Sequence, residues 1–425
     1  MSTSAMTSEQ IQTLARLEAY DTPLDQINVS KPRLFQSDTI WPYFERLRRD
    51  DPVHFCKASV NGPFWSVTKF KDIMQVEGSH NIFSSAAGIG ISDPPPFLVS
   101  GGFISMDPPK HDEQRKTISP IVAPGNLVNF EKLIRTRVCK TLGELPIDED
   151  FNWVDKVSIS LTTQMLATLF DFPWEDRHLL TFWSDAATSE VKGGGVITSE
   201  AMRTKALGEC LEYFTRLWNQ RVNADPGSDL ISMLAHSPAT RNMTPEELLG
   251  NLILLIVGGN DTTRNSMTGG LYFLNQNPKE LQKVRENASL IPNMVSEIIR
   301  YQTPLAHMRR TALVDTELAG KPIKKGDKVV MWYLSGNRDE EAIDLPNEFI
   351  IDRPRARQHL SFGFGIHRCV GNRLAELQLK IMWEEILKRF AQVEVVGEPQ
   401  RIYSNFVHGY TSLPVRIRSQ AVLAH

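Results

Sequence analysis

One cysteine in this chain stands where a thiolate is easily made and held. The run Phe362-Gly363-Phe364-Gly365-Ile366-His367-Arg368-Cys369-Val370-Gly371 leads into a helical pattern that starts near Asn372, with an apolar stripe through Leu374, Leu377 and Ile381. A cysteine just ahead of a helix sits among unpaired backbone N–H groups and the positive end of the helix dipole. Both favour thiolate over thiol, and Gly363, Gly365 and Gly371 let the loop turn tightly around the sulfur. A soft thiolate in a buried pocket suits iron, copper or zinc. Zinc takes three or four ligands, and no second cysteine lies nearby; haem takes one protein ligand and fills a large flat cavity. A dinucleotide fingerprint fails here, because the position three after Gly365 is Arg368. An inert buried thiol is the ordinary reading of any lone cysteine. The glycine spacing sets Cys369 apart.

A second chemical stretch is Gly258-Gly259-Asn260-Asp261-Thr262-Thr263. It falls inside a helical pattern that opens at Thr244-Pro245-Glu246-Glu247, where Thr244 caps, Pro245 suits the first position and Glu247 completes a capping box. The pattern runs to about Asn275, giving a helix of about 45 Å. Leu252 to Val257 is apolar on every face, which predicts burial all round. The six poor helix formers that follow disfavour helix by about 4 kcal/mol. Such conflicts concentrate at functional sites. The glycines let a flat ligand approach the backbone, with the carboxylate of Asp261 and the hydroxyl of Thr262 beside it. Two helices joined by a Gly-Asn turn explain the segment equally well.

The elements that must position these residues are mostly helical. The 425 residues are 41% hydrophobic and 23% charged, as in a globular protein. Lys+Arg 47 against Asp+Glu 50 argues against a general nucleic-acid binder. No apolar run approaches the ~18–20 residues of a membrane helix. Early acidic residues (Glu9, Glu18, Asp21) and the lack of an apolar core predict no signal peptide. Cys56, Cys139, Cys210 and Cys369 form no CxxC pair, so reduced thiols and a cytoplasmic location are expected. Ser84 to Pro109, rich in Gly and Pro, reads as a long functional loop. Gly193-Gly194-Gly195 reads as a second break. Helical signals fill Pro124 to about Asn275 and Asn372 to about Phe390. Short β signals appear near Val53–Val67 and near Thr311–Trp332, with turns at Ala319-Gly320-Lys321 and Lys325-Gly326-Asp327. A mainly α protein with a small β portion is predicted.

Together the motifs resemble the cytochrome P450 family. Phe362-Gly-x-Gly-x-His-x-Cys369-x-Gly371 is similar to its haem-thiolate signature, Glu297-Ile298-Ile299-Arg300 to its E-x-x-R pair, and Gly258 to Thr263 to its oxygen-activation motif, in the family's order and spacing. The resemblance covers essentially the whole chain. It implies a single-domain cytochrome P450 fold over residues 1–425, with about 1–40 as an N-terminal extension, and haem b between the long helix and the cysteine loop. Cys369 would be the iron ligand, with Phe362, Gly363, Gly258 and Gly259 also at the cofactor. Asp107-Pro-Pro-Lys-His111-Asp-Glu-Gln-Arg115 resembles the segment that reaches the haem propionates. His111 and Arg115 would donate there, joined by Arg310 and His367, as cations opposite a buried dianion should. His359 is either near them or structural. Glu297, Arg300 and Arg353 are implied as a folding cluster, since buried ion pairs are costly to break.

The resemblance implies a haem-thiolate monooxygenase, R–H + O2 + 2 e⁻ + 2 H⁺ giving R–OH + H2O, with Asp261 and Thr262 as the catalytic proton relay and Thr263 structural. Substrate-contact regions map to the loop around Ile89 to Phe103, to Phe170–Ile197, to Leu254, Leu255, Val257 and Gly258, to Leu305 and Met308, and to Phe406 and Val407. Apart from His307 and some loop positions they are largely apolar, which suits a hydrophobic substrate. The runs Ile256 to Met267 and His307 to Ala312 look like the bacterial medium-chain alkane terminal hydroxylase branch. That implies terminal (omega) hydroxylation of medium-chain alkanes or fatty acids. A steroid side-chain omega-hydroxylase, with a similar Asn-x-Thr-Thr-Arg-Asn run, is the alternative. Electrons would come from a [2Fe–2S] ferredoxin and its FAD-containing ferredoxin reductase, with Arg368, Arg373 and Lys380 attracting an acidic partner. Two other classes compete: a cysteine hydrolase, for which His367 is poorly placed two residues from Cys369, and a non-catalytic haem-binding sensor, which would not need both Asp261 and Thr262.

Overall fold

The long pattern folds as one helix, Pro245–Gln276, unbroken through Gly258 to Thr263. The computed structural model describes residues 7–94 and 101–422. Thr244 caps this helix, its hydroxyl accepting from the Glu247 N–H at 3.3 Å. The other half of the expected capping box is not made, because the Glu247 carboxylate takes Lys110 instead. The weak stretch stays helical although Asn260 Nδ2 and Asp261 Oδ1 make no hydrogen bond, because other polar groups in and just after it are tied in place. Thr262 and Ser266 hydroxyls each donate to the carbonyl four residues back at 2.9 Å, and the Asn265 amide does so at 2.8 Å. Thr162, on the neighbouring helix Ser160–Leu169, donates to Asn260 Oδ1 at 2.8 Å. Tertiary burial here overrides local preference.

The helices Ser160–Leu169, His178–Thr188 and Ile291–Gln302 pack along the long helix and share its core, with Trp153, Trp183, Trp383 and Phe214 fully enclosed. Where the chain ahead of Phe103 crosses it, Gly102 and Gly250 touch backbone to backbone. A Cβ on Gly250 would lie 2.4 Å from Gly101 C, and one on Gly102 2.6 Å from Gly250 O. The expected Ser84–Pro109 loop is anchored by the short strand Phe83–Ser84 and a tight turn at Phe103–Ser105. Its residues 95–100, with Pro95 and Pro96, lie outside the described residues.

The β portion is small. Val53–Cys56, Phe64–Val67, Lys328–Met331, Met308–Ala312 and Phe83–Ser84 lie side by side in that order. The turn expected at Ala319-Gly320 joins Thr316–Leu318 to Lys321–Ile323, with φ of +48° and +77°. Residues 19–40 do not stand apart. Ala19, Ile27, Val29, Phe35 and Ile40 are buried in one cluster with Tyr43, Phe44, Leu47 and Trp332. No helix among the described residues is long and apolar enough to cross a membrane.

Glu297, Arg300 and Arg353 come together as a buried cluster. Arg300 grips Glu297 through two bonds of 2.7 Å, and Arg353 Nε reaches the same carboxylate at 3.1 and 3.2 Å. None of the three contacts the cavity described next.

Candidate active site

A cavity of about 790 Å³ separates the long helix from the cysteine loop. Leu254, Leu255, Val257, Gly258 and Thr262 form one wall, and Phe362, Gly363, Cys369 and Gly371 the opposite one. The partial exposure of Leu254, Leu255 and Val257 corrects the expectation of burial on every face: one side of the helix fronts this space. Cys369 owes its exposure to the same cavity. The other three cysteines are elsewhere, Cys56 and Cys210 buried and Cys139 against Glu385 at 3.3 Å. Among the described residues no group of three His, Cys, Asp or Glu side chains gathers to hold a bare metal ion. Cys369 therefore lacks the companions that zinc needs.

The cysteine loop is held by its backbone. The Cys369 N–H donates to Phe362 O at 2.8 Å, and Gly363 and Gly365 adopt φ of +67° and +66°. Backbone N–H groups of Gly371 and Asn372 point at the sulfur. Burial nonetheless pushes the thiol up, outweighing those donors and the nearby Arg115 and Arg368. This corrects the expectation of a lowered thiol pKa. A helix end alone does not ionise this sulfur; a coordinated cation would.

The two glycines opposite do different work. A Cβ on Gly258 would meet nothing within 4 Å, so its face is open to the cavity. A Cβ on Gly259 would lie 2.6 Å from Leu166 Cδ2, so that glycine lets two helices approach. Both border the cavity, but only Gly258 leaves room in it.

Arg115, Arg310 and His367 line the polar rim, and His111 lies directly behind, its ring 4.3 Å from that of His367. His111 Nδ1 pairs with Asp112 at 2.7 Å and His367 Nε2 with Ser85 Oγ at 3.1 Å. Their other ring nitrogens, His111 Nε2 and His367 Nδ1, are buried without partners. Burial lowers both histidines, His367 to about 2 with Arg310, His111 and Arg115 adding to it. The rim's cations are thus the two arginines. Each orphaned buried nitrogen costs about 1–3 kcal/mol. Two such nitrogens and two guanidiniums beside a space walled by a glycine and a thiol fit a flat ligand carrying carboxylates, as haem is. His359 stands apart from the cavity, its Nδ1 accepting from the Ser361 N–H at 3.3 Å.

Asp261 does not face the cavity. Its Oδ2 accepts from Ser184 Oγ at 2.6 Å, and its Oδ1 lies 2.5 Å from the Arg264 guanidinium, off the N–H direction and without a hydrogen bond. Arg264 in turn reaches Asp185 at 2.6 Å, whose side chain is 26% exposed. Burial pushes the Asp261 carboxyl up despite Arg264. Thr262 does line the cavity. Sequence reasoning missed Ser184, Asp185 and Arg264 as partners of Asp261; the i+3 spacing of Arg264 was the one local signal.

Leu305, Met308 and Phe406 line the cavity as expected, whereas Val407 is held in an antiparallel bridge with Leu305 and is not on its wall. From the Phe170–Ile197 region, Ala187, Thr188, Ser189 and Glu190 reach it. His307 is structural: Nδ1–H donates to Asn405 O at 2.9 Å and Nε2 accepts from the Ile91 N–H at 3.1 Å. Burial holds it neutral, with a pKa of about 4.

Known proteins agree with a haem pocket of this kind. The profile of the family described as Cytochrome P450 matches residues 201–416. The chain is 34% identical to linalool 8-monooxygenase of Pseudomonas putida, over 92% of this chain and 99% of that one. It is 30% identical to a methyl-branched lipid omega-hydroxylase of Mycobacterium bovis, over 88% and 90%. The solved structure of CYP153D17 from a Sphingomonas species superposes with a TM-score of 0.87 at 49% identity, covering 93% of this chain and all of that one. The chain belongs to the cytochrome P450 family. It is a monooxygenase of hydrophobic substrates, and its cofactor is haem b, bound through a cysteine thiolate.

Proposed function

We propose that this enzyme hydroxylates the terminal carbon of medium-chain alkanes or fatty acids, with Cys369 as the iron ligand and Asp261 and Thr262 as the proton relay. One observation carries the reading: the thiol on the cavity faces a wall of Leu254, Leu255 and Val257 that also carries the hydroxyls of Thr262, Thr263 and Ser266. Leu305, Met308 and Phe406 extend the apolar surface, which holds a chain without polar handles. The likeness to CYP153, the alkane hydroxylase branch, supports the same substrate class. Haem held by Cys369 would supply oxygen activation.

The residues of this chain supply placement and protons. Arg115, Arg310, His111 and His367 bind the propionate edge. The apolar wall presents a terminal methyl in a fixed pose, which the strong terminal C–H bond demands. Burial pushes the Asp261 carboxyl up against the pull of Arg264, and a swing off Ser184 and Arg264 toward Thr262 would let it pass a proton. Thr262→Ala should keep haem yet lower product formation by up to about 100-fold while cofactor oxidation continues. Product per reduced cofactor consumed is the measurement, and unchanged coupling refutes the relay.

Electrons come from a [2Fe–2S] ferredoxin and its FAD-containing reductase in a cytoplasmic setting. Arg368 and Arg373 are exposed on the cysteine side for such a partner; Lys380 is shared with Glu384 at 3.4 Å. The substrate reading is tested by difference spectra across n-alkanes, fatty acids and sterols. Octane or a medium-chain fatty acid should shift the iron spin state. A shift with the sterol alone assigns the protein to steroid side chains, and a haem protein that forms no oxygen-dependent product is a sensor.

A further inference from the structure

Glu77 is a buried carboxylate that none of the roles above uses. It ends the short helix Phe70–Gly78, is 3% exposed, and borders the cavity. Three segments far apart in sequence donate to it. Tyr333 Oη and the Phe364 N–H each reach it at 2.5 Å, and Arg310 Nη2 at 3.2 Å. Its own carbonyl presses on the cysteine loop, where a Cβ on Gly365 would lie 2.3 Å away. Glu77 thus clamps that loop and at the same time occupies a rim guanidinium. The other Arg310 terminal nitrogen already donates to Arg309 O at 2.9 Å.

A haem carboxylate arriving at Arg310 therefore meets a second carboxylate across the same cation, one that burial pushes up and that Arg310, Tyr333 and the Phe364 N–H favour as the anion. Its other rim partners do not relieve this: His111 Nδ1 pairs with Asp112, His367 Nε2 with Ser85 Oγ, and Arg115 is committed in part to Arg368 O. We propose that Glu77 is a positioning residue that shares Arg310 with a haem propionate and sets the negative charge at that edge of the haem, lowering the iron reduction potential. This rests on the haem reading of the cavity. A negative charge close to the iron disfavours the reduced state, which carries one more electron. Tyr333 acts through Glu77, by dispersing its charge.

The test is a redox titration of haem-loaded wild type, Glu77→Gln, Tyr333→Phe and the double variant, each first checked for its reduced, CO-bound spectrum. Glu77→Gln keeps an acceptor for the Phe364 N–H and removes the charge, so the thiolate spectrum should persist and the potential should move positive. Tyr333→Phe should move the potential when Glu77 is present and leave it in place when combined with Glu77→Gln. A Glu77→Gln potential equal to wild type, or a Tyr333→Phe shift that survives in the double variant, overturns the proposal while leaving the haem reading intact. Wild type that takes up no haem overturns that reading instead. If Glu77→Gln loses haem, Tyr333→Phe decides alone, and an unmoved potential rejects the role.

Discussion

Cys369→Ser should abolish the thiolate absorption band of the reduced, CO-bound protein and reduce oxygen insertion to background. The substitution changes one atom in a loop whose shape does not depend on it. The Cys369 N–H still donates to Phe362 O, and Gly363 and Gly365 still turn the chain. The side chain fronts the cavity rather than the packed core, so stability of the haem-free chain should change by about 0.5 kcal/mol or less. What is lost is a soft sulfur donor that a coordinated cation ionises. A serine hydroxyl in the same place does not ionise near neutral pH, and the electron push that favours O–O cleavage goes with the sulfur. Urea unfolding with and without haem, read beside the CO spectrum, separates loss of ligand from loss of fold. A band that keeps its thiolate position in the serine variant removes Cys369 from the iron.

The parts of this site legible in sequence are those written within a few residues of each other. The cysteine loop shows itself because its glycines and the start of the Asn372–Arg389 helix lie in one run. Glu297 and Arg300 are one helical turn apart, and the structure joins them. What stayed hidden depends on partners far along the chain. Glu77 meets Tyr333 and Phe364 across more than 250 residues, and no local pattern marks that meeting. The thiol shows the same limit in its sign, because the helix end is visible in sequence and the burial that outweighs it is not. Gly258 and Gly259 are the same letter, yet one faces open space and the other Leu166. The Asp261–Thr262 pair carries a plainer lesson. Adjacent helical positions point about 100° apart, so a helix that turns Thr262 to the cavity turns Asp261 toward Ser184 and Arg264.

Arg300→Ala should destabilise the protein by about 3–5 kcal/mol, the range for breaking a buried ion pair. Arg300 is 1% exposed, and it does more than neutralise Glu297. Its Nη1 donates to Asn337 O and Pro346 O at 2.8 Å, and its Nη2 to Glu348 O at 3.1 Å. Alanine removes a donor from all three carbonyls, although Pro346 O keeps Arg338 and Glu348 O keeps Arg353, and it leaves Arg353 and the Ile350 N–H as the partners of a buried carboxylate. Against a total stability of about 5–15 kcal/mol this is a large fraction. Arg300→Lys should recover little of it, since an ammonium has no planar fork to span carboxylate and carbonyls together. The damage should reach the cysteine loop, because the same segment carries Asn337, whose Oδ1 accepts from the Leu360 N–H at 2.7 Å and whose amide donates to Ser361 Oγ at 2.9 Å. Haem retention should therefore fall together with the unfolding midpoint. Arg357→Ala is the control: its guanidinium pairs with Glu376 at 2.9 Å but is 76% exposed, and such surface pairs contribute less than about 1 kcal/mol. If urea titrations place the two alanine variants at the same midpoint, Arg300 is an ordinary ion pair and the folding role assigned to the Glu297–Arg300–Arg353 cluster is wrong.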